Sequence, residues 1–226
     1  MKKLLMILLL STLMQTASAQ KQAVLDAFKK HGIEANLLIP KPQPENYSYD
    51  FKYTSISNEK ATVTIAKYDP AKPADDRWTV ISVKGKTPSS GDVKAFKKNR
   101  SKKPSLPVID DATYRIEKES TAYLVISYKQ DPSSLPDEAK FMKDCRQHMT
   151  INLKTKRMEK LQSLNEKPLK IKVFNAEKLD LTVKYNWNEA EKRYFTESED
   201  MILIVKFLGQ PAPIETISEY SNYKKI

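Results

Sequence analysis

Cysteine, glycine and histidine are scarce in these 226 residues, and each scarcity closes off a class of chemistry. The single cysteine, Cys145, allows no internal disulfide, so the fold rests on its core alone. Four glycines, Gly32, Gly85, Gly91 and Gly209, cannot build a glycine-rich phosphate cradle. The Gly85-Lys86-Thr87 triplet has Val80 where a Walker loop needs its first glycine, so Gly85 is expected to be a turn residue ending a strand over 77–84. Cys145 and His148 stand at a spacing seen in metal sites, but a structural zinc wants four ligands and the sequence holds only His31 besides, so no metal and no cofactor are expected. The thiol is read as free in or near a strand, able to pair between molecules.

Hydrolytic signatures are missing as well. There is no Gly-x-Ser-x-Gly elbow. The carboxylate doublets Asp75-Asp76 and Asp110-Asp111 lie beside turns, and neighbours on an extended chain point to opposite faces, so neither forms a facing acid pair. No catalytic residue is assigned, and the chain is read as a non-enzyme.

Long apolar runs are absent with one exception. In MKKLLMILLLSTLMQTASAQ, Lys2 and Lys3 precede an apolar stretch from Leu4 to Met14 and then Ala17-Ser18-Ala19, a small-x-small pattern that reads as an export signal over residues 1–19. The run is shorter than the about 20 residues a permanent membrane span needs. No cysteine follows it at which a lipid could be attached. The expectation is therefore a soluble protein beginning at Gln20, exported to the periplasm or secreted, and not lipid-anchored. Lys and Arg outnumber Asp and Glu by 39 to 28. In an exported protein that excess points to anionic membrane surfaces and envelope polymers rather than to nucleic acid.

What the sequence has in abundance is period-two alternation. In YSYDFKYTS, Tyr47, Tyr49, Phe51 and Tyr53 share one face while Ser48, Asp50, Lys52 and Thr54 share the other. ATVTIAKY, residues 77–84, TYRIEKE, TAYLVISY, HMTINLK, 157–164, LKIKVFNA, KLDLTVKYNW, RYFTES, DMILIVKF and PIETISEYSNYK continue the pattern, joined by short turns such as SNEK, KTKR and WNEAEK. About eleven strands in an antiparallel meander follow, and without βαβ alternation a parallel sheet is not expected. KQAVLDAFKKHG reads as a helix stopped by Gly32, the prolines of PKPQP over 40–44 mark an extended connector, and Ser89 or Ser90 caps a second helix with Asp92 in its first turn. That second helix has a narrow apolar face, Val93 and Phe96, among Lys94, Lys97, Lys98, Arg100, Lys102 and Lys103, a composition suited to an anionic membrane surface. With no repeat and no low-complexity linker, residues 20–226 are read as one α+β domain.

Tyr49, Phe51, Tyr53, Trp78, Val80, Leu124 and Ile126 are the side chains expected on the covered face of the sheet, lining either a cavity or a filled core. The stretch DRWTVISVKGKTPSSGDVKAFKK, the turn NLKTKRMEKLQ and the closing EYSNYKKI resemble exported bacterial proteins related to the LolA/LolB-type lipoprotein-sorting carriers. The resemblance implies an open half-barrel of about eleven strands with helices over an apolar cavity that accepts acyl chains. It implies a carrier of lipid or lipoprotein acyl chains. The same residues also fit an envelope interaction protein with a filled core, docking on anionic surfaces or on a protein partner.

Overall fold

The computed structural model describes residues 19–38, 45–57, 59–100, 108–171, 174–207 and 210–226. Residues 1–18 of the expected signal over 1–19, the PKPQP connector, Lys102 and Lys103 lie outside the described residues. Eleven strands are described: β1 (Tyr47–Ser57), β2 (Lys60–Tyr68), β3 (Trp78–Val83), β4 (Ile109–Glu119), β5 (Tyr123–Gln130), β6 (Cys145–Asn152), β7 (Arg157–Asn165), β8 (Leu169–Ile171), β9 (Phe174–Asn188), β10 (Arg193–Phe207) and β11 (Gln210–Lys225). Two α-helices accompany them, α1 over residues 19–31 and α2 over Ser90–Arg100, with short 3-10 turns between. The strands pair antiparallel and leave the sheet open, the α+β architecture that the period-two pattern predicts.

The chain forms two compact units, one from the residues up to Pro40 with Pro107–Glu166, the other from Lys41–Leu106 with Lys167–Ile226. In the first unit the strand order is β4-β5-β6-β7. Leu124 lies opposite Ile151 and Ile126 opposite Met149, which puts these four on one face, and all are buried. Helix α1 buries Val24, Ala27 and Phe28 at helical spacing and ends at Gly32, whose φ of 64° is the left-handed turn that glycine takes without strain. Lys21 pairs with Asp111 at 2.7 Å, and Lys30 and His31 both reach Glu119 at 2.6 and 2.7 Å, so each end of α1 is tied to β4.

The other face of this sheet is polar and nevertheless partly sealed. Arg146, 5% exposed, donates through Nε to Glu166 at 2.8 Å and through Nη1 to the Thr113 carbonyl at 2.9 Å and to Ser127 Oγ at 3.2 Å. Ser127 in turn donates to Glu117 at 2.5 Å, and Lys129 reaches Glu166 from the neighbouring strand at 2.9 Å. A buried guanidinium is tolerable only when its donors are met in this way.

In the second unit the order is β3-β2-β1-β11-β10-β9, with β8 beside β9. LKIKVFNA, which alternation reads as one strand, is divided: Ile171 of β8 pairs with Phe174 of β9, so its halves lie side by side. RYFTES and DMILIVKF merge into β10, because a bulge between Thr196 and Ser198 takes up the residue that breaks the alternation. Lys84 and Gly85, with φ of 53° and 73°, form a two-residue turn closed by Val83 and Lys86, each donating its N–H to the other's carbonyl at 3.0 Å.

Arg146 and Lys129 hold the Glu166 carboxyl down to about 2, well below its ordinary 4.5. Because the folded group titrates below its unfolded value, this stabilisation is complete above pH about 4.5 and is lost as pH falls toward 2. The urea midpoint should fall over that window in the native chain and fall less in Glu166→Gln; equal slopes in the two proteins would refute the assignment.

Candidate functional site

Alternation along β1 sends Tyr47, Tyr49, Phe51 and Tyr53 to one face of the second unit, and the register sets their neighbours. Phe51 lies opposite Tyr220 on β11 and Ala66 on β2, and Tyr68 lies opposite Trp78 on β3. The rings form a continuous nest. Tyr49 stacks on Tyr68 with centroids 5.0 Å apart, Phe51 meets Trp78 edge-on at 5.5 Å, and Tyr220 sits 5.1 Å from Phe51. Tyr223 joins at 5.3 Å from Tyr49. Ala66, opposite Phe51 on β2, has no exposed surface.

Helix α2 closes over this nest. Ser89 caps it reciprocally with Asp92: the Asp92 N–H donates to Ser89 Oγ at 3.2 Å, and the Ser89 N–H donates to the Asp92 carboxylate at 2.9 Å. The Ser89 hydroxyl, donating to the Asp92 carboxylate at 2.6 Å, together with the Ser89 N–H holds that carboxyl below its usual range. Phe96 comes within 5.3 Å of Trp78 and 6.0 Å of Phe51. One turn on, the Arg100 guanidinium lies 4.2 Å above the Phe51 ring and 5.8 Å from that of Tyr53. Burial pushes the Tyr220 phenol well above the ordinary tyrosine value, with the nearby Glu199 carboxylate adding to the rise and the Arg100 guanidinium opposing it.

Beyond the rings the same face becomes aliphatic. Tyr53, Ser218, Glu199 and Val183 form one cross-strand row; Ser55, Thr216, Met201 and Leu181 form the next; Ser57, Ile214, Leu203 and Leu179 form the third. Val183, Leu181, Met201, Leu203 and Ile214 are only half-buried, in contrast to Tyr49, Phe51 and Tyr220 at the centre of the nest. The result is an apolar tract bordered by the Arg100, Tyr220 and Glu199 group.

The sequence-derived candidates divide among several settings. Tyr49, Phe51, Tyr53 and Trp78 come together in or beside the nest, and Val80 is half-buried on β3. Leu124 and Ile126 are fully buried in the first unit. Of the basic residues, Lys94 and Lys98 are exposed on α2, while Lys97 donates to the Asp75 carbonyl at 2.5 Å and lies 3.4 Å from Asp76. Arg100 turns onto the rings. Tyr220, Tyr223 and Glu199 did not stand out in the sequence. Tyr220 and Tyr223 are three apart, a spacing that should place them on opposite faces, but a register shift at Asn222, with φ of 56°, returns Tyr223 to the nest.

The opposite face of this sheet carries a trough of about 790 Å³. Ion pairs cross it, Lys52 with Glu219 at 2.7 Å, Lys67 with Asp50 at 3.4 Å and Lys184 with Asp200 at 3.5 Å. Ile65, Ile81 and Ile202 stand exposed among them.

The remaining polar motifs have structural employment. Asp110 accepts from the Ala112 N–H at 3.1 Å and Asp111 pairs with Lys21. Cys145 and His148 are three residues apart on β6 and so project to opposite faces, and no metal-ligand cluster is found among the described residues. Cys145 has no exposed surface, and burial pushes its thiol up to about 11. The expected pairing of this thiol between molecules is thus blocked in the folded protein, since the thiolate is the reactive form. Compared with protein-family models, curated proteins and solved structures, the chain matches none.

A thiol reagent at pH 8 should label Cys145 of the folded chain no faster than the chain unfolds, and labelling should become immediate in denaturant. Rapid stoichiometric labelling of native protein would show the site to be open.

Proposed function

We propose that this chain is an exported carrier or binding protein for a hydrophobic ligand, such as a lipid or the acyl chains of a lipoprotein, in the manner of the LolA/LolB-type carriers it resembles. The observation that carries this reading is the tract of Leu181, Val183, Met201, Leu203 and Ile214, half-buried and sharing one face with Tyr53. A finished core buries such residues, whereas a surface that receives an alkyl chain leaves them partly open. Each methylene covered there contributes roughly 0.8 kcal/mol, so a chain of ordinary length binds tightly without a single polar contact. The aromatic nest serves as the rigid end of the surface, and movement of α2 sets release. Lys94 and Lys98, exposed on the outer side of α2, draw the protein to anionic membrane.

A second reading has its own observation. Ile65, Ile81 and Ile202, exposed among ion pairs on the opposite face, suit docking of an envelope protein partner by a chain whose inner face is filled. Salt separates the two readings, because docking guided by charge weakens with ionic strength and alkyl capture does not.

Native mass spectrometry of the chain purified from an exporting host, followed by solvent extraction, tests the carrier reading. A lipid at one equivalent is expected, and Leu203→Glu should abolish its retention while Ile81→Glu, on the opposite face, leaves it intact. A lipid-free mass that does not change on incubation with acyl ligands would reject the carrier reading and leave the docking one.

A further inference from the structure

The polar group at the border of the tract bears on which hydrophobic ligand the surface accepts. An arginine is an expensive residue to place over an apolar sheet, yet Arg100 is half-buried with its guanidinium carbon 4.2 Å over the Phe51 ring. A guanidinium carries five N–H donors, more than one phenol oxygen can take. Its neighbours on the same face are Tyr220, whose ring lies 5.1 Å from that of Phe51, and the Glu199 carboxylate, and the Tyr220 phenol is near enough to both charged groups to interact with them through their charge. Glu199 belongs to the row that contains Tyr53 and Val183, directly beside Met201 and Leu181, so the carboxylate stands at the head of the aliphatic tract. The arrangement is thus a fixed cation and a phenol, beside one carboxylate, with apolar surface running away from them.

Resting on the carrier reading, we propose that the ligand is a single-chain amphiphile ending in a carboxylate, whose head takes the Arg100 and Tyr220 donors in competition with Glu199 while its chain lies along Met201, Leu181 and Leu203. The guanidinium fork matches a carboxylate in two parallel bonds, and its contact with Phe51 holds the group at the head of the tract before the ligand arrives. Glu199, half-buried and next to solvent-accessible positions of β10, is the group displaced. Its own negative charge then works against the incoming head, which gives the two residues opposite effects on binding.

The test is a calorimetric titration of the purified full chain, at pH 7.5 and below the micelle concentration, with palmitic acid and with its methyl ester. The acid should bind more tightly than the ester, Arg100→Gln should weaken the acid by roughly tenfold, the worth of one or two charge-assisted bonds, and leave the ester unchanged. Glu199→Gln should strengthen the acid and not the ester. The comparison of acid with ester on the native chain requires no variant to fold. Equal binding of acid and ester would overturn the head-group assignment and leave the carrier reading standing. Equal weakening of both by Arg100→Gln would also overturn it, making Arg100 a residue that only positions α2. Failure of both compounds to bind the native chain would remove the carrier reading and this one with it.

Discussion

The second unit depends on Phe51. Its ring touches Trp78 of β3, Tyr220 of β11, and Phe96 and the Arg100 guanidinium of α2, so three other elements meet on one side chain. Aromatic contacts of this kind add their geometry to simple burial, and a ring held from several sides cannot turn without disturbing each neighbour. The position of α2, the place of the Arg100 guanidinium and the near end of the aliphatic tract all follow from where that ring sits.

The two units meet the cost of a two-sided sheet differently. In the first, the face away from Leu124 and Ile126 is closed by Arg146, which gathers Thr113, Ser127 and Glu166 around its donors. In the second, the face away from Phe51 is left to water, with ion pairs laid across the strands and isoleucines between them. Cross-strand pairs of opposite charge at solvent exposure add little stability, but they penalise a slipped register, since a shift by one residue would drive Asp50 and Lys52 into the rings.

Much of this was legible beforehand where one local rule sufficed. Strict alternation in YSYDFKYTS placed Tyr49, Phe51 and Tyr53 together, a missing glycine reduced Gly85-Lys86-Thr87 to a turn, and Ser89 with Asp92 announced the start of α2. Other features depend on partners that sequence distance hides. Arg100 reads as one more cation in a basic run; only the folded sheet supplies the ring and the phenol that turn it inward. Tyr223 is three residues from Tyr220, and a bulge decides its face. Each unit is built from two separated stretches of chain, so no linker composition marks them, and Leu124 and Ile126 could be grouped with Phe51 by type but not by neighbourhood.

The pairing of β1 with β11 has a further consequence. Ser48 donates to the Lys224 carbonyl across 176 residues of chain, and the rings of β1 find Tyr220 and Tyr223 only when that distant strand is present. Closing so large a loop is slow compared with forming a hairpin such as β1 with β2. A nascent chain emerging from its amino end therefore holds a row of tyrosines and phenylalanine half-covered until almost all of the polypeptide has appeared. For this protein the vulnerable interval is the time of its own synthesis, and whatever shields β1 during that interval shapes the yield of folded molecules as much as the stability of the finished fold does.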